Sequence, residues 1–187
     1  MGGMMIALII VGVIVLLIIM FVIGTYNSLI KLRNMVKDQW YQIDVLLKRR
    51  ADLIPNLVET VKGYASHEKE TLDAVITARN KVVSSSSTHD EMAANNELTG
   101  ALSKLFALSE AYPDLKANTN FLDLQANLKE TEDKISFARQ FYNDAVLSYK
   151  NKLELFPSNI VASIFGFKPE EFFEATEADK EVPKVKF

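Results

Sequence analysis

The chain has 187 residues, no cysteine, five prolines and seven glycines, and a formal net charge of -3 from 21 basic and 24 acidic side chains. That length suits one domain plus an anchor, and few glycines and prolines among many Leu, Ala, Glu and Lys favour helix over sheet. The charge balance lacks the basic excess of a nucleic-acid binder, and a cysteine-free chain has no disulfide, thiolate metal site, cysteine nucleophile or lipoprotein anchor.

Met4 to Ile23 is an unbroken apolar run without a single charge. As a helix, twenty such residues span about 30 Å, the thickness of a bilayer's hydrocarbon core, with every backbone group satisfied internally. A secretory signal peptide fits poorly: there is no basic n-region, the apolar core is too long, and no small-x-small site precedes Tyr26. The run therefore predicts an uncleaved transmembrane helix within residues 1–24. Beyond it Lys31, Arg33 and Lys37 face one acid, Asp38. The positive-inside rule then places the N-terminus outside and the rest in the cytoplasm, with those three basic residues as candidate lipid-facing groups.

Helical periodicity resumes at once. Leu29, Leu32, Val36, Trp40, Ile43 and Leu47 step by three or four residues, the stripe of an amphipathic helix. With no Gly or Pro between Tyr26 and Leu53, anchor and first domain helix read as one rod of about 70 Å, and Gly24-Thr25 is the natural place for a bend. A break is expected at Asp52-Leu53-Ile54-Pro55, with Asp52 as N-cap of a second helix carrying Leu57, Val61, Tyr64, Leu72, Val75, Ile76 and Val82. Gly63 falls inside that helix, where it allows close packing or a kink. The serines Ser84 to Ser87 read as a loop. Thr88 and Glu91 have capping-box spacing and predict the start of a third helix, which Tyr112-Pro113-Asp114 ends. A long fourth helix begins at Asn118 or Asn120, carries Phe121, Leu124, Leu128, Ile135, Phe141, Tyr142, Tyr149 and Leu153, and stops at Pro157. Short connections between long helices imply antiparallel neighbours. The expected fold is all-α: a transmembrane helix followed by an antiparallel up-and-down four-helix bundle over residues 25–169. A charged tail over 170–187 follows.

No constellation for catalysis stands out. His67-Glu68 begins like a zinc-protease helix, but position 71 is Thr and the chain has two histidines in all, too few for that motif and its partners. Glu130 with Asp133 and Glu170 with Glu171 read as solvated helix surface. The serine run has no general base beside it, and there is no glycine-rich phosphate loop. The sequence thus predicts no enzyme, no metal and no cofactor. The basic cluster Lys48-Arg49-Arg50 with Asp52, and Tyr112 with Asp114, are expected at helix ends as partner or assembly contacts, the former also complementing a helix dipole. Trp40, Tyr64, Tyr112, Tyr142 and Tyr149 have core spacing. The hydroxyls of the tyrosines, where buried, are expected to pair with polar groups among Arg33, Asp44, Arg79, Arg139 and Asn143.

Several segments together resemble the LemA family. They are Tyr26-Asn27 with Leu29-Ile30 and Leu32-Arg33-Asn34, then Ile43-Asp44-Val45 with Leu47-Lys48-Arg49-Arg50, and Asp52 through Val58. Further on they are Tyr64-Ala65 with His67-Glu68, Ala78-Arg79, Glu110 through Asn118, Ala138-Arg139 with Tyr142-Asn143, Phe156 through Asn159, and Phe165-Gly166-Phe167. The resemblance covers nearly all of the chain after the anchor. It implies a bacterial inner-membrane protein with one N-terminal transmembrane helix, its N-terminus outside and a cytoplasmic coiled-coil-like bundle. It brings no catalytic residues. The frequent proximity of such genes to those for membrane proteases implies a role in envelope maintenance. The expectation is a non-enzymatic scaffold that contacts the bilayer through its anchor, forms homo-oligomers and binds no nucleic acid. The alternative is a monomeric adaptor or sensor that recruits another membrane protein, such as a protease, through the extended segment Val182 to Phe187.

Overall fold

The computed structural model describes residues 2–173. These are helical, with no strand among the described residues. In chain order the helices are α1 (Gly2–Lys62), α2 (Lys69–Ser84), α3 (Thr88–Ser109), the single turn α4 (Pro113–Lys116), α5 (Thr119–Glu154) and α6 (Ser158–Ile164). The segment expected as a partner-binding tail, Val182 to Phe187, lies outside the described residues, as does most of the expected 170–187 region.

α1 corrects two expectations. It passes Gly24-Thr25 without interruption, because one exposed glycine costs only about 1 kcal/mol of helix propensity, too little to stop a long helix. It also runs through Pro55, so Asp52 is not an N-cap but an exposed mid-helix residue. A proline inside a helix costs about 3 kcal/mol, in part by denying a hydrogen bond to the carbonyl four residues back. Here that carbonyl belongs to Ala51, and it accepts a long hydrogen bond from Arg79 Nε on α2 instead (3.4 Å). Ile54, Leu57 and Val58, on both sides of the proline, are almost fully buried. Burying each is worth about 1.5–3 kcal/mol, so packing outweighs the proline. The interruption comes later, at residues 63–68, where Gly63 follows the helix rather than sitting inside it. There Tyr64 N and Ala65 N both donate to the Val61 carbonyl (3.0 and 2.8 Å).

The serine loop is present, but the cap of α3 sits one residue earlier than the Thr88–Glu91 spacing predicts. Ser87 Oγ accepts from Asp90 N (3.1 Å) and donates to the Asp90 carboxylate (2.7 Å). α5 begins as expected: the Asn118 side chain accepts from Phe121 N (2.9 Å), satisfying one orphan donor of the first turn.

The chain divides into two compact units. In the larger, residues 41–140 with Phe173, an apolar core is built from Ala51, Ile54, Leu57 and Val61 of α1, Leu72 and Val75 of α2, Leu98, Leu102 and Leu105 of α3, Leu115 of α4, and Phe121 and Leu128 of α5. α2 and α3 pack on one another, and across their hairpin Lys81 pairs with Glu97 (2.7 Å). The smaller unit combines residues 2–40 with 141–172. Its core includes Leu29, Val36, Val146, Tyr149, Val161 and Ala162, and Trp40 meets Tyr142 edge-on at 5.6 Å between centroids. α6 closes in a Schellman motif: Phe167 N donates to the Ala162 carbonyl (3.0 Å) and Gly166 N to Ser163 (3.2 Å), with Gly166 at φ 68°. A left-handed residue at this place favours glycine. The turn brings Phe165 and Phe167 against Tyr26, with centroids 4.9 and 5.6 Å away.

Candidate functional site

The most heavily built polar site lies in the larger unit around Arg50. The apolar stripe of α1 steps through Ile43 and Leu47, and its next positions are Arg50 and Ile54; all four side chains are buried. A guanidinium carried into a core needs donors and charge answered. Asn95 of α3, itself fully buried, accepts from Nη2 through Oδ1 (2.6 Å) and through its carbonyl (3.1 Å). Nη1 donates to Thr99 Oγ1 (3.0 Å) and forms the ion pair with Glu132 of α5. Asn95 in turn donates to the Glu91 carbonyl (2.8 Å). Arg50 Nε is buried without a hydrogen bond. Three helices are thus fixed in one register by a single side chain.

This overturns the placement of Arg50 at a helix end as an exposed contact: it is mid-helix and buried. Lys48, Arg49 and Asp52 remain exposed on α1, as Asp114 does on α4, while Tyr112 is half-buried and donates to Glu68 Oε1 (2.7 Å). That hydrogen bond and burial hold the Tyr112 hydroxyl above its ordinary pKa. Asn118 donates to the Tyr64 hydroxyl (2.9 Å), so two tyrosines tie the α1–α2 turn to the segment between α3 and α5. In the smaller unit Tyr142 donates to the Glu171 carbonyl (2.9 Å), and the Tyr149 hydroxyl is buried without a hydrogen-bond partner among the described residues. These partners are not among the expected Arg33, Asp44, Arg79, Arg139 and Asn143, because the tyrosines bond to turns rather than to neighbouring stripes. Of the core aromatics expected, Tyr142 and Tyr149 are buried, Trp40 is half-buried and Tyr64 is exposed; Phe141 of the α5 stripe is exposed too. Among the candidate lipid-facing residues Lys31 and Lys37 are exposed, whereas Arg33 is half-buried with its guanidinium 5.5 Å from the Phe167 ring centroid.

Beside the Arg50 network an open groove of about 370 Å³ is lined by Asp44, Lys48, Asp52, Arg79, Ser85 and Glu91. Burial pushes the Glu91 carboxyl up to about 7, with the charge of Asp44 and a hydrogen bond to it adding in the same direction. Below that value the Glu91 carboxyl is protonated, and its hydrogen bond with Asp44 joins α3 to α1. No cluster of three His, Cys, Asp or Glu suited to a metal occurs among the described residues. The side chains that converge around Arg50 are joined by hydrogen bonds and an ion pair.

Sequence reasoning missed Asn95, Thr99, Glu132 and the Asp44–Glu91 pair. The signal for the first group is a polar residue at a stripe position on each helix: Arg50 after Leu47, Asn95 between Met92 and Leu98, Thr131 beside Glu132 between Leu128 and Ile135.

With this geometry in view, the comparisons identify the chain. The LemA family model matches residues 39–187. The chain belongs to the LemA family. It is 27% identical over 162 residues to "Protein LemA" of Metamycoplasma hominis, a match covering 84% of this chain and 73% of that protein. It is also similar to "Magnetosome protein MamQ 2" of Paramagnetospirillum magneticum, 24% identical over 80% of this chain and 64% of that protein. "Magnetosome protein MamQ" of Magnetospirillum gryphiswaldense is 22% identical over 79% and 64%. The chain therefore spans a little under two thirds of the length of these magnetosome relatives. The family match begins at residue 39 and includes the whole Arg50 network.

Proposed function

We propose that this LemA family chain is a non-enzymatic, single-pass membrane scaffold that self-associates at the bacterial inner membrane and serves envelope maintenance. Its N-terminus lies outside, and its antiparallel up-and-down four-helix bundle lies in the cytoplasm. Support for the anchor comes from α1, whose residues from Met4 to Met20 are all exposed and apolar, and which is long and apolar enough to cross a bilayer. Orientation is supported by the basic excess of Lys31, Arg33 and Lys37 directly after the apolar run.

The observation that carries self-association is apolar surface left exposed among the described residues of the larger unit. Tyr41 and Val45 on α1 are both 67% exposed and Phe137 on α5 is 64% exposed. Tyr41 and Val45 are spaced i, i+4 and share one helix face, turned away from buried Ile43 and Leu47. A second copy is the occupant this reading assigns to them, since apolar side chains at a membrane-tethered surface gain by pairing. The absence of cysteine permits a direct test. Val45→Cys supplies one thiol, and a short bis-maleimide applied to membranes carrying this variant should trap a dimer, with Val45→Asp breaking the association. Crosslinking no stronger from position 45 than from exposed, polar position 73 would sink the assignment.

A further inference from the structure

α6 has two unlike apolar faces. Val161 and Ala162 point inward and are buried, while Ile160 and Ile164, one helical turn apart, are 51% and 72% exposed. Phe156 just before the helix and Phe165 just after it are also largely exposed, at 79% and 51%. A seven-residue helix needs one apolar face to dock on its own unit. The second has nothing to cover it among the described residues.

Its place along α1 directs attention to the bilayer. The apolar run of α1 ends at Ile23, and Tyr26 lies about 4–5 Å further along the helix axis. The headgroup layer on each side of a bilayer is about 5–8 Å thick. Tyr26 therefore falls within that layer, and it packs against Phe165 and Phe167, the two aromatics that the Gly166 turn holds at the end of α6. Aromatic side chains concentrate at this depth. Basic groups stand beside them: Lys31 and Lys168 are exposed, and Arg33 lies over the Phe167 ring. Apolar residues flanked by lysines at headgroup level are the chemistry of an in-plane interfacial helix.

We propose that the outward face of α6, Ile160 and Ile164 with Phe156 and Phe165, lies in the interfacial layer of the bilayer that α1 spans, as a second and in-plane membrane contact. This rests on the anchor reading above. The contact limits the tilt of the smaller unit against the bilayer, because α6 lies on one side of α1. Membrane attachment then orients the chain as well as tethering it.

The test uses the full chain in liposomes of phosphatidylcholine and phosphatidylglycerol. Trp40→Phe removes the chain's single tryptophan, and Ile164→Trp or, in a second variant, Ile160→Trp places an indole on the outward face. Ile14→Trp in the same background reports the anchor independently. Acyl chains brominated near the headgroup should dim the α6 indoles about twofold or more, as expected for side chains 5–10 Å into the boundary. If the Ile14→Trp indole is quenched by bromine deeper in the chains and neither α6 indole is quenched, the anchor stands and the α6 contact is overturned. A blue-shifted but unquenched α6 indole overturns it too, showing that protein covers this face. If no position is quenched, the anchor reading fails and the α6 contact with it.

Discussion

At the scale of single residues, the chain's least expected feature is a charge in the core. Taking an arginine out of water costs several kcal/mol, and losing one partner of a buried pair typically costs about 3–5 kcal/mol. The Glu132 side chain is 37% exposed, so solvent screens it and the cost of Glu132→Gln should be roughly 1–3 kcal/mol. Urea unfolding of the full chain in detergent, followed by circular dichroism, measures this. Glu130→Gln, which removes an exposed i, i+4 pair with Lys134, should leave the midpoint unchanged. Equal effects from the two would show that Arg50 does not depend on Glu132. The Glu91 carboxyl makes a second residue-level prediction. Its folded pKa is raised from 4.5 to about 7, so between these values the folded chain keeps a proton that the unfolded chain has lost. Stability therefore falls as pH rises through that window and levels off above it. Thermal melts across the window should show this slope. Glu91→Gln should flatten it and raise the melting temperature above pH 7, since a neutral amide beside Asp44 carries no repulsion. A slope unchanged in Glu91→Gln would assign the pH dependence to other groups. Neither feature was legible in the sequence. A stripe read only for apolar residues stops at Leu47, and the partners of Arg50 come from 45 to 82 positions further along.

At the scale of elements, periodicity and caps carried most of the reading. The apolar run, the serine loop and the Asn118 cap are local signals, set within a few residues, and each appears in the structure. Pro55 was misleading because its cost is local while its compensation is not. The stripe of Ile54, Leu57 and Val58 continues through it, and the answering donor, Arg79, sits 28 residues from the Ala51 carbonyl it serves. That pairing is testable by a double-mutant cycle. Pro55→Ala should stabilise the chain by about 1–3 kcal/mol, because it restores an N–H facing the Ala51 carbonyl and removes the ring clash. Arg79→Met should destabilise the wild type more than it destabilises Pro55→Ala, where the carbonyl already has its donor. Strict additivity in urea unfolding would mean that Arg79 does not act through Ala51.

At the scale of the whole molecule, the sequence conveys class and attachment more readily than activity. A run of twenty apolar residues is unambiguous in composition, and the family resemblance spans the rest of the chain. Among the described residues, the charged and polar groups around Arg50 are engaged with one another, and Glu91 with Asp44. The remaining features are surfaces. Tyr41, Val45 and Phe137 lie exposed in one unit, and Ile160 and Ile164 in the other. Surfaces are hard to read from sequence because an outward apolar residue has no partner on its own chain to mark it. Tyr41 and Val45 are merely off-stripe positions in the pattern, and only the burial of Ile43 and Leu47 shows which way they face. In the proposed scaffold these surfaces take the place of a catalytic site. Self-association is therefore its central property.

The most direct test is the mass of the full-length chain extracted in mild detergent, measured by light scattering with the detergent contribution subtracted. The account predicts a discrete particle of several 21.0 kDa copies, reduced in size by Val45→Asp. A single 21.0 kDa chain that does not associate as concentration rises would contradict it.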